Sequence, residues 1–590
     1  MKNLSMFKNT QQWMRGALSV GLLAVLLACG GGGVVPGTGV ATRTLSPELS
    51  SRKAVAYSPY RSSNRDTEVI TDAMVLQDLQ LLSAGGFKLI RLFDSSDAVA
   101  ARVLRLLAAN PSLDIKVMLG AYILSESSPY ITEAQKANSR SFNAAEVARA
   151  VALAKSYPSL VLAVSVGNET MVSWSFVPTS PALMASYIST VRNQITQPVT
   201  TDDSWSFFAR SAGEPNDPKP VLNAIDFVSL HTYPLLDTPY NTWDWMQTGV
   251  TADKRAVAMM DAAIAKAKAD YAAARAQLDN TGFSAMPIVI GETGWKASPT
   301  NGETGRASPA NQRMYLERLT AWAKTSTAPK AIVYFEAFDE PWKGSDNAFG
   351  LFNVSRQPRC AIKDLYPTLT PETSSCTDAQ ALYYIAPVTR GTVTANRYSA
   401  YMDTLTAGEA RPGEVPHFDA WDSGATATYA QTADAAATID PGNGIDITPK
   451  PAVWGWGLAL GLPTSTEDLS NFNSASGRLN FSINTTYAGK LEIGFFTGSA
   501  DAGSAFDVYL PISSGQYGYV NDGKWHEVSI PIKDIIPRGA MAYGMTDPNK
   551  AKLDMSKVQS VFVIADRYAV TGNSANVTTR LKIDAIYWSK

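Results

Sequence analysis

Between Lys53 and Phe352 the sequence alternates short apolar runs with longer amphipathic stretches, and no other feature restricts the possible folds as tightly. Eight apolar runs read as strands: Ala54–Tyr60, Leu89–Phe93, Ile115–Ala121, Val161–Val166, Pro198–Thr201, Phe227–His231, Ile288–Gly291 and Ile332–Phe335. Helical periodicity lies between most of them, over Asp72–Ser83, Asp97–Ala109, Ala145–Ser156, Pro181–Ile195, Lys254–Leu278 and Asn311–Lys324. In the last, Met314, Leu316, Leu319 and Trp322 recur along one stripe. A strand covered on both faces loses the polar half of its alternation, so apolar runs separated by helices imply a parallel sheet. Eight such repeats over roughly 300 residues have the size of a closed (β/α)8 barrel. A doubly wound open sheet is the alternative, but its first turn would need glycines to cradle a phosphate. Here that turn reads Ser58-Pro59-Tyr60-Arg61-Ser62.

The remainder of the chain follows different rules. Residues 361–410 read as a connector, and from 411 to 590 the pattern becomes strict alternation, as in Leu479-Phe481-Ile483, Leu491-Ile493-Phe495 and Val528-Ile530-Ile532. With Asp-Gly and Ser-Gly turns between, that predicts an all-β sandwich. At the other end, Lys2, Lys8 and Arg15 precede an apolar run from Ala17 to Ala28 that is too short to span a bilayer. Its close, Leu26-Leu27-Ala28-Cys29-Gly30, resembles a bacterial lipoprotein signal. The resemblance implies lipidation at Cys29 and an exported lipoprotein on the outer membrane or cell surface; the glycine-rich stretch that follows reads as a flexible tether over 30–51, and the βα repeats as a barrel domain over 52–360. Of the three cysteines, Cys360 and Cys376 then remain, in a compartment where disulfides persist. A bond between them is expected, closing a loop worth about 3 kcal/mol in the chain-entropy model.

Several partners are disfavoured. A net charge of −2 gives no basic footprint for nucleic acid. Three scattered histidines and two spare cysteines offer no ligand spacing, so no metal is expected in the barrel. No Gly-x-x-x-x-Gly-Lys-Ser/Thr, Gly-x-Ser-x-Gly or His-Glu-x-x-His run occurs.

In a parallel barrel, chemistry sits at the C-terminal rim. The strand ends here are rich: Arg91-Leu92-Phe93-Asp94, Asn168-Glu169, Asp202-Asp203-Ser204-Trp205, His231-Thr232-Tyr233, Glu292-Thr293-Gly294-Trp295 and Glu336-Ala337-Phe338-Asp339-Glu340-Pro341-Trp342-Lys343. Glu169 and Glu292 each close an apolar run. Two facing carboxylates meet the needs of sugar-acetal cleavage without a cofactor. About 5 Å apart they resist both ionising, so one holds a proton, assigned to Glu169, while Glu292 attacks. Trp205, Trp295 and Trp342 are candidates for stacking on sugar faces, although core burial uses the same residues. His231 either orients a neighbour or touches substrate. Asp94, Asp202 and Asp203 either bind hydroxyls or cap the helices that follow.

Gly167-Asn168-Glu169 and Gly291-Glu292-Thr293-Gly294-Trp295 resemble the retaining glycoside hydrolases with acid/base on strand four and nucleophile on strand seven. Phe338-Asp339-Glu340-Pro341-Trp342-Lys343, followed by Ala348-Phe349-Gly350-Leu351-Phe352-Asn353, is similar to glycoside hydrolase family 17, the β-1,3-glucanases. The resemblance runs from about Val55 to Asn353. It implies Glu169 as acid/base, Glu292 as nucleophile, Asn168 on the sugar 2-hydroxyl, Tyr233 beside the nucleophile, and Glu340 with Lys343 as accessory residues. Pro341-Trp342 and Phe93-Asp94 depart from the plant pattern.

The C-terminal segments Asn521-Asp522-Gly523-Lys524-Trp525-His526 and Lys582-Ile583-Asp584-Ala585-Ile586-Tyr587-Trp588 resemble jelly-roll carbohydrate-binding modules. Such modules commonly hold a structural calcium; Asp584 is placed where a ligand could be, though one aspartate is not a site. Trp421, Trp454 and Trp456 are candidates for a sugar platform or for the core. The expectation is therefore a monomeric, lipid-anchored, endo-acting β-1,3-glucanase acting on laminarin-like glucan. A β-1,3-glucanosyltransferase and a non-catalytic surface glucan-binding lipoprotein are the alternatives.

Overall fold

A computed structural model describes residues 42–590 except 129–130, 173–174, 176–177, 212, 241, 301–302, 374–375, 422–425, 435, 437–438, 451–454, 499–505, 540, 543–552 and 568–578. The signal segment with Cys29, and Trp454, lie outside the described residues. The chain forms two compact units, one running to Tyr384 apart from Pro239–Asn241, the other formed by those three residues and Ile385–Lys590.

The first unit is a closed barrel of eight parallel strands in sequence order. They are β1 (Lys53–Ala56), β2 (Phe87–Arg91), β3 (Lys116–Ala121), β4 (Val161–Asn168), β5 (Val199–Ser204), β6 (Val228–His231), β7 (Ile288–Thr293) and β8 (Ile332–Tyr334), with β8 pairing back to β1. Side chains alternate between faces. Ala54, Ala56, Leu89, Met118, Ala163, Phe227, Val289 and Val333 fill the interior together, small residues beside large ones. The helices match their predicted ranges closely, with one exception. The helix after β3 begins at Glu133 rather than Ala145, because Thr132 and Gln135 form a reciprocal capping box that starts it early.

Two expected boundaries need correction. The tether was expected to reach residue 51, yet Arg43 already belongs to the barrel: its amide donates to Asp226 Oδ1 at 2.8 Å and its guanidinium to the carbonyls of Gln197 and Arg192, each at 2.7 Å. A short helix, Pro47–Ser51, then inserts Leu49, with Leu45 before it, into the interior cluster. Apolar burial turns the last part of the supposed tether into a plug.

The connector over 361–410 also disappears. Its first part binds the barrel through the Cys360–Cys376 disulfide (Cα–Cα 6.0 Å), the Tyr366 hydroxyl on Leu81 O (2.8 Å), and paired bonds between Asn311 and Leu382 (both 2.8 Å). Its second part supplies strands of the second unit, Val388–Thr392 and Arg397–Tyr401.

That second unit is a sandwich of two sheets. One is centred on Leu581–Ser589 between Gly442–Pro449 and Arg478–Thr485, the other on Val558–Asp566 between Trp456–Gly461 and Leu491–Thr497. Ile445, Phe481 and Ile583 meet Leu458, Ile493 and Phe495 in its core, with Trp456 and Trp588. On the last strand, alternation from Ile583 breaks at Ala585, whose φ of 50° shifts the register and returns Ile586 and Trp588 to the core.

The plug yields a direct test. Leu49→Ala should cost the first unit about 2–4 kcal/mol in denaturant unfolding, as for a buried leucine; a tether residue would cost nothing.

Candidate active site

Strict alternation would put Glu292 on the wrong face. Counting from Val289 in the barrel interior, Gly291 points in and Glu292 points out. Strand β7 avoids this by a register shift against β6, so that Leu230 pairs with Ile290 but His231 pairs with Glu292. A second shift, between Ser165 and Asn168 on β4, opposes Asn168 to Asp202 and turns it towards Arg91, where alternation from Ala163 would face it outward. Such bulges re-aim side chains. The backbone at the first glutamate is correspondingly unusual, with Gly167 at φ 88° and Glu169 at φ 49°. At Gly291 a side chain is impossible: a Cβ would lie 2.3 Å from Ser229 Oγ and 2.6 Å from Asp202 Oδ1.

Arg91 occupies the centre of the rim. It shares the inward face of β2 with Leu89 and is 1% exposed. Its Nε donates to Asp202 Oδ2 at 2.6 Å, while its two terminal nitrogens donate to Glu292 Oε1 and Asn168 Oδ1. Glu292 Oε2 accepts from the Tyr233 hydroxyl at 2.6 Å. His231 bridges the two glutamates, with Nδ1 3.0 Å from Glu169 Oε1 and 3.5 Å from Glu292 Oε2.

These contacts set the charges. Burial pushes Glu292 up, but His231, Arg91 and the Tyr233 hydroxyl outweigh it and hold the carboxyl below its ordinary value. Burial pulls His231 down, yet Glu292 and Glu169 outweigh that and raise it. Asp203 is pushed up to about 7 by burial, against the amides of Met171 and Ser204 that donate to it. It does not cap the helix that follows, Trp205–Phe208, whose N-cap is Ser204; it ties β5 to the segment after β4 through Met171. Asp202 instead serves as counter-ion to Arg91.

Beyond β8, Lys343 binds both Glu336 and Glu340. Burial pushes Glu336 well up; burial opposes ionisation of Glu340 too, but Lys343 brings it down to about 2. Glu340 and Lys343 thus turn inward as a buried pair, and Glu340 accepts the Trp342 indole N–H at 2.8 Å. Trp342, Asp94 and Trp205 are half-buried on the rim, with Lys266 4.6 Å from the Trp205 ring. Trp295 is not on the rim. It is fully buried, packs 5.2 Å from Tyr315 and donates its N–H to Arg306 O at 2.8 Å, so its expected place in the cleft is withdrawn.

Arg91 and Glu336 were missed as site residues. The signal was present: each is a charge at the end of an otherwise apolar strand, a position costly to fill without a partner. Among the described residues, Glu169, His231 and Glu292 form the one group of three metal-capable side chains, with donor atoms within 4.8 Å of one another. Arg91 already supplies the compensating positive charge there, a poor setting for a second cation.

Residues 54–352 match the family model of the BtgE/BtgC glycoside hydrolase domain, about half of the chain. The chain belongs to that family. Residues 418–588 of this glycoside hydrolase match carbohydrate binding domain 30. It is similar to a glucan 1,3-beta-glucosidase of Arthroderma benhamiae, 26% identical over 307 residues that make up 48% of this chain and 82% of that protein. A glucan 1,3-beta-glucosidase of Schizosaccharomyces pombe is 26% identical over 196 residues, 32% of this chain and 52% of the relative. A crystal structure of an endo-laminarinase from Formosa Hel1_33_131 is 23% identical and covers 59% of this chain and all of its own, with a TM-score of 0.49.

Arg91→Met should destabilise the barrel by about 3–5 kcal/mol at neutral pH, since it leaves Asp202 and Glu292 as uncompensated buried charges. Those carboxyls then rise above their unfolded values, so the deficit should shrink as pH falls towards about 4. Urea unfolding at both pH values reads this.

Proposed function

We propose that this glycoside hydrolase cleaves β-1,3-glucan by double displacement with retention, Glu292 being the nucleophile and Glu169 the acid/base. One observation carries the reading: a carboxylate oxygen of each glutamate lies within 4.8 Å of the other, near the roughly 5 Å separation at which the second carboxylate attacks the sugar itself. An inverting pair would stand about 6.5–9.5 Å apart to admit water.

Glu292 is held ionised and half solvated by protein, with Arg91 on one oxygen and Tyr233 on the other. It attacks the anomeric carbon as Glu169 protonates the departing oxygen. Glu169 then carries the negative charge, and the His231 N–H, 3.0 Å away, stabilises it until it deprotonates the incoming hydroxyl. Arg91 and Tyr233 stabilise the Glu292 carboxylate as it leaves. Asn168, fixed by Arg91, is placed to donate its amide N–H to the sugar 2-hydroxyl. A non-catalytic barrel would have no use for a buried arginine that holds the nucleophile.

In the second unit the Trp421 indole lies against Gly457, where a Cβ would be 2.3 Å away, beside Phe496 and the edge of Tyr509 at 6.2 Å. This aromatic cluster is outside the sandwich core, whereas Trp456 is within it, and we propose the Trp421 ring as the group that attaches to polymeric glucan. We further propose a structural calcium held by Asp434 and Asp584. Each buries an Oδ2 with no hydrogen-bond partner among the described residues, and burial with Asp440, Asp403 and Asp434 nearby pushes Asp584 up to about 7. Export as a monomer lipidated at Cys29 completes the proposal, resting on the basic and apolar segments before that cysteine.

Glu292→Ala should abolish turnover of laminarin oligosaccharides. Glu169→Ala should lose most activity on them but keep it on an aryl glycoside with a good leaving group, and added azide should yield the β-glycosyl azide; an α-azide would refute retention. Products longer than the substrate would reassign the enzyme as a glucanosyltransferase. Trp421→Ala should lower retention on insoluble β-glucan more than hydrolysis of soluble oligosaccharide, and equal losses would indicate a folding role.

A further inference from the structure

The arc of the rim formed by β1, β2 and β8 carries a group that the double displacement does not use. The loop after β1 contributes Tyr60 and Arg65, the end of β2 contributes Asp94, and the loop after β8 contributes Trp342. All four are half-buried, so each keeps a reachable surface. The Arg65 guanidinium is wedged between two rings, 4.9 Å from the Tyr60 centroid and 4.6 Å from that of Trp342. The rings meet edge to face at 6.4 Å. Asp94 stands 3.5 Å from Arg65.

This group is continuous with the catalytic pair. Phe93, next to Asp94, packs 4.8 Å from the Arg91 guanidinium and 6.3 Å from Phe335. Phe335 in turn meets Tyr233 at 5.8 Å, whose hydroxyl holds Glu292.

We propose that Arg65 is a specificity-determining residue of a subsite for an uncharged hexose, fixing the plane of Trp342 for stacking while its fork and the Asp94 carboxylate bind hydroxyls. Two features support this. The Trp342 indole is held at its N–H edge by Glu340 and over its face by Arg65, so removing Arg65 frees the ring to tilt. The charges also cancel. Arg65 is matched by Asp94, and Lys343 by ionised Glu340, so a uronate or sulfated ring would meet two carboxylates and no unpaired cation. A lysine cannot replace Arg65, because a compact ammonium neither stacks between two rings nor presents a planar fork.

The inference rests on the β-glucan hydrolase reading, and the test separates the two. Wild type, Arg65→Met, Arg65→Lys and Asp94→Asn are compared on neutral β-1,3-linked gluco-oligosaccharides of increasing length, on a short aryl β-glucoside, and on an oligosaccharide carrying a glucuronate. Arg65→Met should raise KM for the longer oligosaccharides about ten-fold, the loss expected of one charge-assisted contact, with kcat nearly constant. The change on the short glycoside should be much smaller, Arg65→Lys should not rescue, and Asp94→Asn should improve the glucuronate substrate relative to the neutral one. Unchanged KM in Arg65→Met, or equal loss on short and long substrates, would overturn the subsite while leaving the hydrolase reading intact. A wild-type enzyme inert on every substrate would overturn both.

Discussion

The architecture of the barrel mouth depends on one buried guanidinium. Arg91 has its charge removed from water, a cost of several kcal/mol that only close, well-oriented partners offset. It finds them in Asp202 on β5, Glu292 on β7 and Asn168 on β4. One planar cation thus ties side chains from four strands together and helps to set how far apart they stand. The same contacts keep Glu292 ionised despite its burial. Geometry and ionisation of Glu292 thus have a common cause.

His231 adds a second layer of control. A histidine bridging two carboxylates is stabilised as a cation by both, and here burial is overcome by that pair. Its proton is shared between acceptors 3.0 Å and 3.5 Å away. In the proposed double displacement, negative charge moves from one glutamate to the other, and the same group can follow it without leaving its place. The titration of such a pair belongs to the pair, and a pH profile will report macroscopic values for Glu292 and His231 together.

Much of this was legible in the sequence. Continuous apolar runs between amphipathic stretches gave the barrel and its strand order, because both faces of a parallel strand are covered. The two glutamates were legible through their position at strand ends. What alternation could not supply was the direction of Glu292 and Asn168, since a period of two places both outside; Gly291 and Gly167 were the hints that the ladder shifts. Trp295 was misplaced for a related reason: an aromatic residue three positions beyond Glu292 can face the cleft or the helix layer, and nothing local distinguishes the two. The segment 361–384 looked like a linker because its contacts, to Leu81 and Asn311, are with residues far away in the chain.

The plug formed by Leu45, Leu49 and Arg43 sits where the strands begin, at the pole opposite the glutamates. A pull applied through residues before Arg43 is therefore taken up by the closed floor of the barrel and does not reach the cleft directly. A molecule moored by that end would stand with its mouth turned away from the mooring, and a polymer could approach the cleft without crossing the surface that holds the enzyme.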